Sequence, residues 1–119
     1  MFVKNINTSQ AFIANDGCQI REWLHPANDA VDLPYSIAEA TIEVGQSSYR
    51  HKLKQKEVYL ILSGAGQMHI NGEVQLVKRG DCILIPDESI QWIENIGDEK
   101  LKFLALVNPP WTKEDDIRM

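Results

Sequence analysis

Apolar and polar residues alternate every second position through most of this chain, and each run stops within eight or so residues at a glycine, a proline or an Asx pair. A period of two places successive side chains on opposite faces of a strand, so the pattern predicts strands joined by hairpins. The clearest is Gln67-Met68-His69-Ile70, then Asn71-Gly72, then Glu73-Val74-Gln75-Leu76-Val77. Asn-Gly is the pair that a type I′ turn demands. In this reading Met68, Ile70, Val74 and Leu76 share one face, and His69 faces solvent. Further strands are expected at Ile37–Val44, His51–Leu53, Val58–Leu62, Cys82–Ile85, Gln91–Glu94 and Leu101–Val107, separated by Gly45, Gly64-Ala65-Gly66, Arg79-Gly80, Pro86-Asp87 and Gly97-Asp98. Strands this short and this evenly spaced imply an all-β sandwich or barrel.

A length of 119 residues bounds the answer to one domain with one core. The formal charge of −5, with basic and acidic residues interspersed, argues against nucleic acid or a membrane surface as a partner. No run approaches the roughly 18 apolar residues of a membrane span. Met1 to Asn7 carries no basic patch followed by an apolar stretch, so a cytoplasmic location is the expectation. Cys18 and Cys82 stand far apart and outside any C-x-x-C spacing, and both are read as reduced thiols, Cys82 as a buried small hydrophobe within Cys82-Ile83-Leu84-Ile85.

Val58-Tyr59-Leu60-Ile61-Leu62 and Phe103-Leu104-Ala105-Leu106-Val107 are apolar at consecutive positions, hence on both faces. The outer face of that sheet then needs cover, either from the first thirty residues or from a second subunit, and a homodimer through it is the expectation. This divides the chain into an N-terminal arm (1–35) packing on the barrel or on a partner, a barrel (36–108), and a tail (109–119). In the tail, Thr112 to Asp115 has the pattern of a capping box and starts one short helical turn, or else the end is frayed and acidic. Trp92, beside Gln91 and Ile93, is read as outward-facing packing or interface.

The spacing between Gly45 and Asn95 is specific. Gly45, five residues, His51, one residue, Leu53, three residues, Glu57, six residues, Gly64 resembles the first motif of the cupin superfamily, G-x5-H-x-H-x3/4-E-x6-G. Gly80, five residues, Pro86, one residue, Glu88, two residues, Gln91, three residues, Asn95 resembles the second, G-x5-P-x-G-x2-H-x3-N. Seven of the ten pattern positions match; Leu53, Glu88 and Gln91 depart from it. The resemblance implies a double-stranded β-helix, that is, a jelly-roll barrel of two antiparallel sheets. Gly45, Gly64, Gly80 and Pro86 read as turn residues at its corners, and Glu88, standing where the family has glycine, as a sign that this turn differs in conformation.

In the family, the four places occupied here by His51, Leu53, Glu57 and Gln91 carry three imidazoles and a carboxylate, a set suited to Mn, Fe, Co, Ni, Cu or Zn. Leu53 offers no donor and Gln91 only a neutral carbonyl. The resemblance therefore implies either a divalent metal held weakly by His51, Glu57 and Gln91, with His25 as a recruited fourth donor, or no metal at all. Tyr49 and Tyr59 are further donors near the first motif. Without metal, His51 and Glu57 form a buried hydrogen-bonded pair and Gln91 a pocket hydrogen-bonder. Three functions stay open: a metal-dependent enzyme in which the ion polarises a substrate oxygen or Glu57 acts as general base, a metal-free small-molecule-binding cupin, and a dimerising structural or regulatory protein. A small-molecule ligand is the expected partner in the first two.

Overall fold

The computed structural model describes all 119 residues and contains eleven strands: β1 (Phe12–Ile13), β2 (Gln19–Leu24), β3 (Ser36–Ile42), β4 (His51–Leu53), β5 (Lys56–Ser63), β6 (Ala65–Ile70), β7 (Glu73–Lys78), β8 (Cys82–Ile85), β9 (Ile90–Asn95), β10 (Leu101–Asn108) and β11 (Asp116–Arg118). They form a six-stranded sheet in the order β1-β2-β3-β10-β5-β8 and a five-stranded sheet in the order β11-β4-β9-β6-β7. Every pairing is antiparallel. The two sheets face each other and make the jelly-roll barrel that the motif spacing implied. No helix is long and apolar enough to cross a membrane.

The core lies between the sheets. Inward positions two apart supply it: Tyr59 and Ile61 from β5, Leu101 and Phe103 from β10, Ala40 and Ile42 from β3, Ile85 from β8, and Met68, Val77 and Ile93 from the facing sheet. Burying each of the larger apolar side chains stabilises the fold by about 1.5–3 kcal/mol. Tyr59 and Phe103 lie with ring centroids 4.2 Å apart, filling the middle of the barrel. At Gly64 (φ +87°) a Cβ would stand 2.8 Å from the Lys100 carbonyl oxygen, so the tight corner between β5 and β6 admits only glycine.

Two expectations are corrected by the structure. Asn71 and Gly72 both have positive φ (49° and 88°), as a type I′ turn requires. That two-residue turn pairs Ile70 with Glu73 and Met68 with Gln75, so Val74 and Leu76 share a face with His69 and Gln67, outside the barrel. Counting across the turn instead of pairing through it puts them on the wrong side. His69 does face outward, where it stacks on Trp92 at 3.6 Å between centroids and 9° between planes. Cys82 is exposed, because β8 is a sheet edge and Leu60, its partner across the ladder, points outward; the buried thiol is Cys18. Glu88 adopts φ +64°, the left-handed conformation that glycine takes without strain. The Glu88 amide donates to the Leu53 carbonyl at 3.0 Å, which holds the turn in place.

The terminal segments are woven into the sheets. Residues of β2 pair with β3 along Gln19 to Leu24, and β1 folds back on β2. At the other end, a single 3-10 turn (Lys113–Asp115) follows Thr112, whose hydroxyl bonds the Asp115 carboxylate at 2.7 Å. The chain then continues as β11, which pairs with β4 and places Arg118 over the Tyr49 ring at 3.6 Å. The short turn was legible in the sequence, but the strand after it was not.

Candidate functional site

Strand periodicity brings the four motif positions into the barrel interior. His51 and Leu53, two residues apart on β4, are both buried, while Lys52 between them points out. His51 pairs directly with Gln91 on β9, and Glu57 comes from the start of β5 across the barrel. All four side chains are buried. They do not form one donor set. Leu53 adds only apolar wall, and the Gln91 carbonyl accepts a hydrogen bond from the Tyr59 hydroxyl at 3.2 Å. His25 lies by the same cavity, but both its ring nitrogens are engaged: Nδ1 accepts from the Ala27 amide at 3.1 Å, leaving Nε2 to donate to the Trp111 carbonyl at 2.7 Å.

Two residues from the termini surround His51 instead. Asp116 opens β11 opposite Leu53, and its Oδ1 lies 2.8 Å from His51 Nδ1. Its second oxygen accepts from the Trp111 indole at 3.0 Å. Asp16, in the turn between β1 and β2, accepts from the Cys18 amide with one oxygen, and its other oxygen lies 3.7 Å from His51 Nε2. The histidine therefore stands between two carboxylates, one bonded and one near. Sequence reasoning missed both: Asp16 reads as part of an Asn15-Asp16-Gly17 turn, and Asp116 as one more charge in an acidic tail. Nothing in strand periodicity marks a turn or tail residue as inward-facing.

Burial and charge pull against each other here. For His51, burial lowers the pKa, but the Asp116 hydrogen bond and the charges of Asp16, Asp116 and Glu57 prevail and raise it above the ordinary value. Burial pushes Glu57 up to about 8, against the opposing pull of His51 and Gln91, so the carboxyl is mostly protonated at neutral pH. Burial, and after it Asp16, also raises the Cys18 thiol far above its usual range, which makes it inert as a nucleophile.

A cavity of about 60 Å³ opens beside these groups. Its wall is mostly apolar, with Phe12, Ile20, Phe103, Val107 and Trp111, and four alanines, Ala14, Ala38, Ala40 and Ala105, whose short side chains leave the space. Its polar end is made by Asp16, His51, Glu57 and Asp116. Two atoms there are buried without a hydrogen-bond partner, His51 Nε2 and Glu57 Oε1. Gln91 and Leu53 lie outside this lining.

A metal fits this donor arrangement poorly. No three of the histidine, cysteine and carboxylate side chains are grouped so as to hold an ion. Of the four motif positions only His51 and Glu57 offer anionic or imidazole donors. Structural and catalytic zinc sites use at least three protein ligands.

Comparison with known proteins agrees with the architecture. The family model described as "Cupin domain" matches residues 38–107. An uncharacterised protein of Methanocaldococcus jannaschii is 43% identical over 105 residues, which span 87% of this chain and 83% of that protein. An oxalate-binding protein of Thermotoga maritima is 35% identical over 72 residues, 60% of each chain. Among solved structures, one from Thermotoga maritima described as a predicted oxalate decarboxylase superposes with a TM-score of 0.79 at 26% identity, covering 91% of this chain and 99% of that one. With its motif spacing, its barrel and these matches in agreement, the chain belongs to the cupin family.

Proposed function

We propose that this cupin binds a small molecule in its barrel without a metal, holding the molecule's apolar body against Phe12, Phe103 and Trp111 and one polar group against His51 and Glu57. The observation that carries this reading is the pair of buried, partnerless atoms, His51 Nε2 and Glu57 Oε1, at the polar end of a mostly apolar cavity. A buried polar atom left without a partner costs about 1–3 kcal/mol, and a ligand hydroxyl or carbonyl between the two removes that cost. A mostly apolar wall with a few convergent polar groups is the usual make-up of a small-molecule site.

The chemistry within reach is proton transfer. Asp116 orients the His51 ring through Nδ1 and stabilises its charged form, which leaves Nε2 to give or take a proton at a ligand oxygen. Glu57, neutral when buried, can donate a hydrogen bond to the same atom. The name of the Thermotoga relative raises oxalate as a ligand. The apolar wall and the carboxylates Asp16 and Asp116 disfavour a dianion and favour a neutral molecule of about four to six heavy atoms, since each ordered water needs about 10–15 Å³ of such space.

The test is an amide NMR titration of chelator-treated protein with cyclopentanol, cyclobutanol and oxalate in turn, repeated with His51→Gln. Saturable shifts around β3, β4 and β10 with the neutral probes, weakened in His51→Gln, support the reading. Shifts that appear only with oxalate, or only after Mn or Zn is added, would overturn it in favour of an anion site or a metal site.

A further inference from the structure

Along one side the barrel is not hydrogen-bonded shut. The six-stranded sheet ends at β8 and the five-stranded sheet at β7, and a groove of about 400 Å³ lies between these two edges. Met68, Ile70, Val77 and Ile83 line it from the core side. The groove shares no residue with the ligand cavity.

Strand β8 has backbone groups to spare. The Ile61 amide donates to the Asp81 carbonyl at 2.9 Å, which makes these two residues a bonded pair. Bonded pairs alternate along an antiparallel ladder, so Tyr59 with Ile83 and Glu57 with Ile85 follow, and the N–H and C=O groups of Cys82 and Leu84 point away from β5. Natural sheets blunt such edges with charged side chains. Strand β8, Cys82-Ile83-Leu84-Ile85, carries none, and Leu84 is 63% exposed.

Charge appears only at the ends of the groove, and both ends are negative. Glu73 opens β7 on the same face as Val77, and Asp81 accepts from the Lys78 amide at 2.8 Å where that strand finishes. These are the only charged residues in the lining. Five strand steps separate the two ends, about 17 Å, which is the span of an extended segment of about six residues.

We infer that β8 is a docking edge for an extended segment of another protein, β-branched in its middle and basic at its two ends, which adds to the six-stranded sheet as a further strand. The free groups of Cys82 and Leu84 pair with its backbone, alternate side chains enter the groove against Val77 and Ile83, and its cations meet Glu73 and Asp81. A second copy of the chain is a poor occupant, since it carries a net charge of −5 and brings the same acidic ends.

The test is an amide NMR titration of the full chain with the capped peptide Lys-Ser-Val-Thr-Val-Ser-Lys and with its counterpart bearing Glu in place of both Lys, repeated in Leu84→Pro and Glu73→Lys. Proline at position 84 removes an N–H that bonds nothing within the sheet. The expected result is saturable shifts from Asp81 to Ile85 and from Glu73 to Val77, with hydrogen exchange at Cys82 and Leu84 slowed at least about tenfold by the basic peptide. The acidic peptide and Leu84→Pro should each weaken binding at least about fivefold, and Glu73→Lys about threefold. Circular dichroism checks folding; should Leu84→Pro unfold, Glu73→Lys decides. No saturable shift at millimolar peptide, or equal affinity for the two peptides, would overturn the inference. So would protection of the Cys82 and Leu84 amides that grows with protein concentration in the absence of peptide, which would make the edge a contact between copies.

Discussion

Two regions meet at His51 and contribute different things. The motif strands β4, β5 and β9 bring His51, Leu53, Glu57 and Gln91 inward by period and register, and half of that set has no charge to offer. The β1–β2 turn and β11, outside the motifs, deliver Asp16 and Asp116, the two carboxylates that flank the histidine. The barrel thus fixes where the site is, while the terminal segments set its electrostatics. With Leu53 and Gln91 at two of the motif positions the site is still polar, because Asp16 and Asp116 flank His51.

The sharpest way to break this comparison is to remove a terminal carboxylate. Asp116→Ala strips His51 Nδ1 and the Trp111 indole of their shared acceptor and leaves a buried imidazole without its counter-charge. The expected loss is about 3 kcal/mol of stability, a fall in Tm of about 10 °C by calorimetry for a chain of this size. Asp16→Ala should cost about 1 kcal/mol, since its oxygen stands 3.7 Å from His51 and its one hydrogen bond is to the Cys18 amide. Equal losses in the two variants would erase the distinction between a bonded and a neighbouring carboxylate.

The motif side has its own signature in pH. Glu57 ionises near 4.5 when unfolded and at about 8 in the fold, so the native state holds the extra proton between those values. Stability falls as pH rises through that window, by at most about 1.4 kcal/mol per pH unit from this one group. His51 slopes the same way: its folded pKa is raised, so its contribution is full below about 6.5 and is lost as pH rises past the folded value. Glu57→Gln removes the first component, and denaturant melts across pH 5–9 should show a flatter profile than wild type. A steeper profile in Glu57→Gln would mean that the carboxyl is ionised in the native state.

Much of the barrel was legible because strands and type I′ turns announce themselves locally. His51–Leu53 and Cys82–Ile85 have the bounds the alternation gave them, and the Asn71-Gly72 turn is where its residue pair required it. The site was legible only in its motif half. Asp116 reaches His51 across 65 residues of chain, and Asp16 comes from a turn far upstream; no periodicity encodes such a contact. Val74 and Leu76 were misplaced because a hairpin reverses direction and pairs Ile70 with Glu73, an effect that composition does not carry. Cys82 was misread because an apolar run does not say whether its strand lies at an edge.

Smaller effects refine the picture. Ala105→Leu fills the space that the lining alanines leave, and it should weaken cyclopentanol or cyclobutanol binding at least about tenfold while changing stability by about 1–3 kcal/mol in either direction, as titration and melting would read. Glu88→Gly relieves the left-handed strain at φ +64° and should stabilise by about 1 kcal/mol, less the weak surface pair with Lys52, whose ammonium lies 3.2 Å away. A destabilised Glu88→Gly variant would mean that the ion pair outweighs the strain.

His51, backed by Asp116, is the group that meets the ligand directly in this reading of the barrel. Long-range proton–nitrogen NMR of the His51 ring, recorded in excess chelator with and without cyclopentanol, tests it most directly. The expected result is that Nε2 shifts on addition of the probe while Nδ1 keeps the signature of its bond to Asp116, and that Asp116→Asn reduces the response. An Nε2 resonance that ignores the probe and moves only when Zn is supplied would contradict it.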